Sequence, residues 1–145
     1  MASIIYIGFA HGHVASVNKS AYVTAKRGLL GRARVLAKEG GARNVRAHVV
    51  CPGLAMMTPL IERQLPELAR RLGMSEAEVL ERKLLKNTVD RNPGTVAEVA
   101  DPTLFLAAQQ SAALSGQSFV RDHGTFMKQG LGMGDARDDF LAYDC

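Results

Sequence analysis

Ser20-Ala21-Tyr22-Val23-Thr24-Ala25-Lys26 places a tyrosine and a lysine four positions apart. Around them Tyr22, Ala25, Leu29, Ala33, Leu36 and Ala37 recur at intervals of three and four. That period predicts an amphipathic helix from Ser20 to about Lys38, stopped by Gly40-Gly41. On such a helix residues i and i+4 share a face, one turn apart. A phenol titrates near ~10 in water, and a cation held beside it favours the phenolate. The pair is therefore suited to moving a proton on or off an alcohol or carbonyl oxygen. It reads equally as a surface pair that lends slight support to the helix. Gly28 and Gly31 each cost ~1 kcal/mol inside a helix, and close packing against another helix is the expected compensation.

Working outward, Ser3 to Phe9 reads as a buried parallel strand, apolar on both faces. A polar loop containing His11-Gly12-His13 leads from it into the helix. Val45 to Cys51 reads as a second strand, closed by Pro52-Gly53. Thr58-Pro59 is an N-cap followed by proline at the first helical position. It opens a helix with Leu60, Ile61, Leu65, Leu68 and Leu72, ended by Gly73. Ser75-Glu76-Ala77-Glu78 is a capping box for a third helix carrying Val79, Leu80, Leu84 and Leu85. Thr95-Val96-Ala97-Glu98 repeats that pattern for a helix through about Ala108. Pro102 lies within that helix and is expected to cost ~3 kcal/mol or to force a kink. Gln117 to Arg121 is a third strand. Strands separated by helices predict an α/β fold with right-handed parallel crossovers. The first strand is expected at an unpaired edge of the sheet, as though a neighbouring half were missing. The chain also opens directly on that strand, as if cut from something longer. Residues 128–145, Gly-rich then acidic, read as a flexible tail.

The bulk numbers suit one soluble domain: 145 residues, 47% hydrophobic and 22% charged. A net charge of +4 arises from scattered residues with no interleaved aromatics, so nucleic-acid binding is not expected. Two cysteines, Cys51 and Cys145, lack the spacing of a disulfide framework or a metal site. Cys51 reads as a small buried hydrophobe, and a cytoplasmic setting fits best. No apolar run approaches the ~20 residues that span a bilayer, and the N-terminus lacks signal-peptide features.

In combination, several stretches resemble the second half of the short-chain dehydrogenase/reductase family, and within it the bacterial 3-hydroxybutyrate dehydrogenases. They are Lys19 to Lys26, Val35-Leu36-Ala37-Lys38-Glu39-Gly40, Val49-Val50-Cys51-Pro52-Gly53, Thr58-Pro59-Leu60-Ile61, Leu72-Gly73-Met74-Ser75-Glu76, Leu114-Ser115-Gly116-Gln117-Ser118 and His123-Gly124. The resemblance implies the C-terminal half of a Rossmann-type doubly wound parallel sheet over residues 1–127. It implies NAD as cofactor, a small 3-hydroxy or 3-keto acid as substrate, and an oligomer. Tyr22 would be the general acid/base, and Lys26 would lower its pKa while holding the nicotinamide ribose. Pro52, Gly53 and Thr58 would line the nicotinamide. His11, Lys19 and Gln64 match positions that bind the substrate carboxylate. These three read equally as solvated loop or surface residues.

The departures are specific. The catalytic serine of the family lies thirteen residues before the tyrosine, where this chain has Phe9. Phenylalanine cannot donate a hydrogen bond to a substrate oxygen. No strand–Gly-rich–helix unit for a dinucleotide is found: Gly130, Gly132 and Gly134 have the wrong spacing and no preceding strand. Four residues separate Gly53 from Thr58, where the family usually has three. Thr125 stands where relatives carry a tryptophan beside the substrate, and Pro102 has no counterpart. Two functions are expected from these features. One is an NAD-dependent oxidoreductase interconverting 3-hydroxybutyrate and acetoacetate, truncated and not competent alone. The other is a non-catalytic oligomerisation module derived from such an enzyme.

Overall fold

The computed structural model describes residues 1–53 and 58–126. Its centre is one parallel sheet of three strands in the order β1 (Ala2–Ile7), β2 (Val45–Pro52), β3 (Ser118–Arg121). Ile5 pairs with His48 across β1 and β2, and Val50 with Phe119 across β2 and β3. Helix α1 (Ser20–Gly40) makes the crossover between β1 and β2. The parallel α/β arrangement is the one the alternation of strands and helices predicts.

Two compact units emerge, the first comprising 1–53 and 96–121, the second the described parts of 54–95 and 122–145. In the first, β2 is buried from Arg46 to Pro52 because it is central and covered on both faces. Its odd residues Ala47, Val49 and Cys51 pack with Ala33, Leu29, Leu30, Leu36 and Ala37 of α1 and with Tyr6. On its even face, Arg46 reaches the segment that follows α4 (Ala97–Ala107). Val49, Val50 and Leu106 are essentially inaccessible, each contributing about 1.5–3 kcal/mol of apolar burial.

β1 departs from the buried strand its composition predicts. It is an edge strand, as expected, but Ile4 and Ile7 are exposed. Gly28 and Gly31 also depart from expectation, since an added Cβ at either meets nothing within 4 Å. Among the described residues no helix packs on them, so their cost is not offset there. The α1 stop is as read: a Cβ at Gly40 would lie 2.8 Å from Val45 Cβ, and Asn44 turns the chain into β2 at φ 56.

In the second unit, α2 (Pro59–Leu72) starts at Thr58, whose Oγ1 accepts from the Ile61 amide at 3.4 Å, and ends at Gly73 with φ 63. Ile61, Leu65 and Ala69 form its buried stripe with Val79 and Leu84. The Ser75–Glu78 capping box is present, but α3 (Glu76–Val79) is only one turn and passes into a wider π-type turn over Leu80–Leu84. That shift of period departs from the regular third helix expected to carry Val79, Leu80, Leu84 and Leu85. α4 starts with Val96, not Thr95, in the capping position, and the Glu98 carboxylate is ion-paired with Arg121. Pro102 removes one backbone bond, yet α4 continues through it. No helix among the described residues is long and apolar enough to cross a membrane. The expected tail and Cys145 lie outside the described residues.

Candidate active site

The first turns of α1 and the loop leaving β1 assemble the candidate site. Tyr22 and Lys26 sit on one helix face, with Lys26 Nζ 5.7 Å from the Tyr22 ring centroid. Lys19, at the N-cap position of α1, brings a second ammonium to 5.9 Å from the same centroid. Lys26 Nζ also donates to the Ile7 carbonyl at 3.4 Å, at the end of β1. Two cations therefore lie within cation–π range of one phenol ring.

Phe9 occupies the ground next to that phenol. Its ring meets Tyr22 edge-on at 5.7 Å and the His11 imidazole at 4.9 Å. His11, Phe9, Tyr22, Lys19 and Lys26 thus form one cluster. Burial, and secondarily the Lys19 charge, lowers the His11 pKa, which favours the neutral ring with one N–H donor and one acceptor nitrogen. Burial followed by the Arg27 and Arg34 charges does the same to His13.

The loop carrying Phe9 and His11 is fixed by contacts that the sequence did not single out. Arg27 Nε donates to the Gly12 carbonyl and Nη2 to the His13 carbonyl, both at 2.9 Å. A Cβ on Gly12 would come within 3.1 Å of the Lys26 carbonyl, and one on Gly8 within 2.7 Å of Val49 Cγ1 and 3.0 Å of Cys51 Sγ. Cys51 is buried, as expected. Burial raises its pKa, opposed by a bond from the Phe9 amide and by the Lys26 charge. The glycines at positions 8 and 12, between a strand and a helix, were the available signal for this close packing.

Pro52 and Gly53 end β2 in the same unit, and the Gly53 amide donates to the Arg121 carbonyl at 2.8 Å. Thr58 and Gln64 belong to the second unit, Thr58 as the cap of α2 and Gln64 on the following turns. Gln64 is half-buried, and its Oε1 has no hydrogen-bond partner among the described residues. Thr125 bonds back to the Asp122 carbonyl at 2.6 Å through Oγ1.

A dinucleotide needs a pyrophosphate cradle, and the described residues do not fit that part. Gly8 and Gly12 are the glycines of the first strand–helix turn, and both are consumed by internal packing, not open to a ligand. Tyr22 and Lys26 offer a hydroxyl and an ammonium suited to the nicotinamide-ribose end alone.

The family model described as enoyl-(acyl carrier protein) reductase matches residues 1–125, and the chain belongs to the short-chain dehydrogenase/reductase family. It is 40% identical over 121 residues to a D-beta-hydroxybutyrate dehydrogenase of Rhizobium meliloti (strain 1021), covering 83% of this chain and 46% of that protein. It is 31% identical over 121 residues to a D-beta-hydroxybutyrate dehydrogenase of Cupriavidus necator, again covering 83% of this chain and 46% of the relative. A short chain dehydrogenase family protein from Francisella tularensis shares the fold, with a TM-score of 0.79 at 24% identity over 87% of this chain and 51% of that one. The chain spans about half the length of the curated relatives it matches.

Proposed function

We propose that residues 1–127 are the catalytic half of an NAD-dependent oxidoreductase that interconverts 3-hydroxybutyrate and acetoacetate, and that the chain does not turn over alone. The observation that carries this reading is the approach of Lys26 and Lys19 to Tyr22 on one helix face. Tyr22 gives a proton to, or takes one from, the substrate oxygen. Lys26 and Lys19 stabilise the charge that develops on the phenol. His11, Lys19 and Gln64 bind the substrate carboxylate, a charge-assisted set. Pro52, Gly53 and Thr58 line the nicotinamide, and NAD when bound supplies or accepts the hydride. Phe9 removes the hydroxyl that would stabilise the substrate oxygen, and the pyrophosphate cradle must come from a complementing half. The setting is cytoplasmic.

The purified chain tests this with NADH and acetoacetate, alone and mixed with the N-terminal half of an intact family member. No turnover alone, and slow turnover in the mixture that Tyr22→Phe abolishes, is the expected pattern. Turnover by the chain alone at an ordinary dehydrogenase rate overturns the proposed incompetence.

A second reading, a non-catalytic oligomerisation module, is favoured by the open ground at Gly28 and Gly31 and by the exposure of Leu104 and Phe105 on α4. Size-exclusion chromatography separates the two. A monomer with no affinity for an intact family member counts against the module.

A further inference from the structure

In the second unit, two short stretches, 88–92 and 122–126, are joined side by side. His123 Nδ1 lies 2.7 Å from Asp90 Oδ2, and the Val89 amide donates to the His123 carbonyl at 2.9 Å. The backbone on both sides is unusual. His123 has φ 50 and Arg91 has φ 58, left-handed values that a residue with a Cβ adopts at a cost. Glycine would take the same conformation freely, so a histidine there needs a side-chain reason.

The turn around His123 is internally well made. Asp122 Oδ1 accepts from the Gly124 amide and Oδ2 from the Phe126 amide, each at 3.0 Å. The Asp122 carbonyl accepts from the Thr125 amide at 3.1 Å. On the facing stretch, Asp90 Oδ1 accepts from the Asn92 amide at 3.1 Å. Each stretch is a turn closed by its own hydrogen bonds, and the imidazole–carboxylate contact is a side-chain bond that joins them. It is also sheltered on the imidazole side, where the His123 side chain is 13% exposed.

We propose that the Asp90–His123 pair is a conformational latch: it holds His123 in the left-handed conformation and so fastens the turn 122–126 to the stretch 88–92. With the pair broken, a histidine at this position relaxes out of the left-handed region and carries its carbonyl away from the Val89 amide. The inference is independent of the catalytic reading, since it concerns only the second unit and is read without substrate or cofactor.

Amide exchange in the full chain tests it, with Val89 as the reporter and Val49, whose amide bonds the Gln117 carbonyl in the first unit, as the control. Asp90→Ala is expected to speed Val89 exchange by about tenfold, a local opening, with Val49 unchanged. In a His123→Gly background the same substitution is expected to change Val89 exchange by less than about twofold, because glycine holds the turn without the latch. If Asp90→Ala does not fold, Asp90→Leu, which is close in shape and has no polar atom to bond the imidazole, completes the same cycle under the same criteria. An unchanged Val89 rate, or an equal acceleration in both backgrounds, overturns the latch.

Discussion

Replacing Arg46 with methionine should weaken the fold by about 2–4 kcal/mol, a figure built from its partners. Arg46 is 6% exposed. Nη1 donates to the Ser111 carbonyl at 3.0 Å and to Ser111 Oγ at 2.6 Å, and Nη2 to the Ala108 carbonyl at 3.1 Å. These partners are neutral oxygens just beyond the C-terminus of α4, where backbone carbonyls carry partial negative charge and favour a cation. Removing the guanidinium deletes hydrogen bonds to a charged group, worth about 1.5–3 kcal/mol each, although the Ser111 carbonyl keeps the Leu114 amide and the Ala108 carbonyl keeps the Ser111 hydroxyl. Relief from keeping a charge out of water recovers part of that. The net loss is a large share of a total stability of about 5–15 kcal/mol. Arg46→Lys keeps the charge but replaces a planar fork with a single point, so it should cost roughly half as much. Urea unfolding followed by circular dichroism reads both, as a lower midpoint with unchanged m. A methionine variant within about 0.5 kcal/mol of wild type, or more stable than the lysine variant, would refute the argument, because the buried charge would then be a net burden.

Acid should destabilise the chain well before its carboxylates are protonated. His48, His11 and His13 all have lowered pKa values, in each case chiefly from burial, with Arg46 adding to the effect at His48. These groups are neutral in the fold, while the unfolded chain takes up protons below about 6.5. Stability is therefore full above that value and falls as the pH drops, with fully buried His48 alone contributing a slope of up to about 1.4 kcal/mol per pH unit. Urea midpoints that stay level between about pH 7.5 and 5.5 would contradict this. Gly8→Ala should cost about 1–3 kcal/mol by overpacking against Val49 and Cys51, and less in a Val49→Ala background, as a double-mutant cycle would read. Leu106→Ala, at a fully buried side chain, should cost about 2–5 kcal/mol in the same unfolding assay.

Where local chemistry decides the structure, it was legible in the residues. Thr58-Pro59 opens a helix, Gly73 ends one, and the Ser75–Glu78 box forms as its spacing predicts. The α1 stripe was also legible, because its period sets which residues meet β2. What depends on neighbours was not. β1 lies at the edge expected of it, but its composition is that of a buried strand and Ile4 and Ile7 are exposed, and an added Cβ at Gly28 or Gly31 meets nothing within 4 Å. The third helix starts at its capping box, but Leu80 to Leu84 widen into a π-type turn, a change of period that apolar spacing does not encode. Around Tyr22, the helix spacing gave the approach of Lys26. The packing of Phe9 against both Tyr22 and His11 depends on a loop held by Arg27, and no motif announces that contact.

The central claim is that Tyr22 and Lys26 form a catalytic pair idled in part by Phe9. Its most direct measurement is NADH oxidation with acetoacetate in the mixture with a complementing N-terminal half, comparing wild type with Phe9→Ser. The account predicts that the serine raises turnover by about 100-fold or more, and that adding Tyr22→Phe removes the gain. Equal turnover with phenylalanine and serine at position 9, or a gain that survives the loss of the Tyr22 hydroxyl, would contradict it.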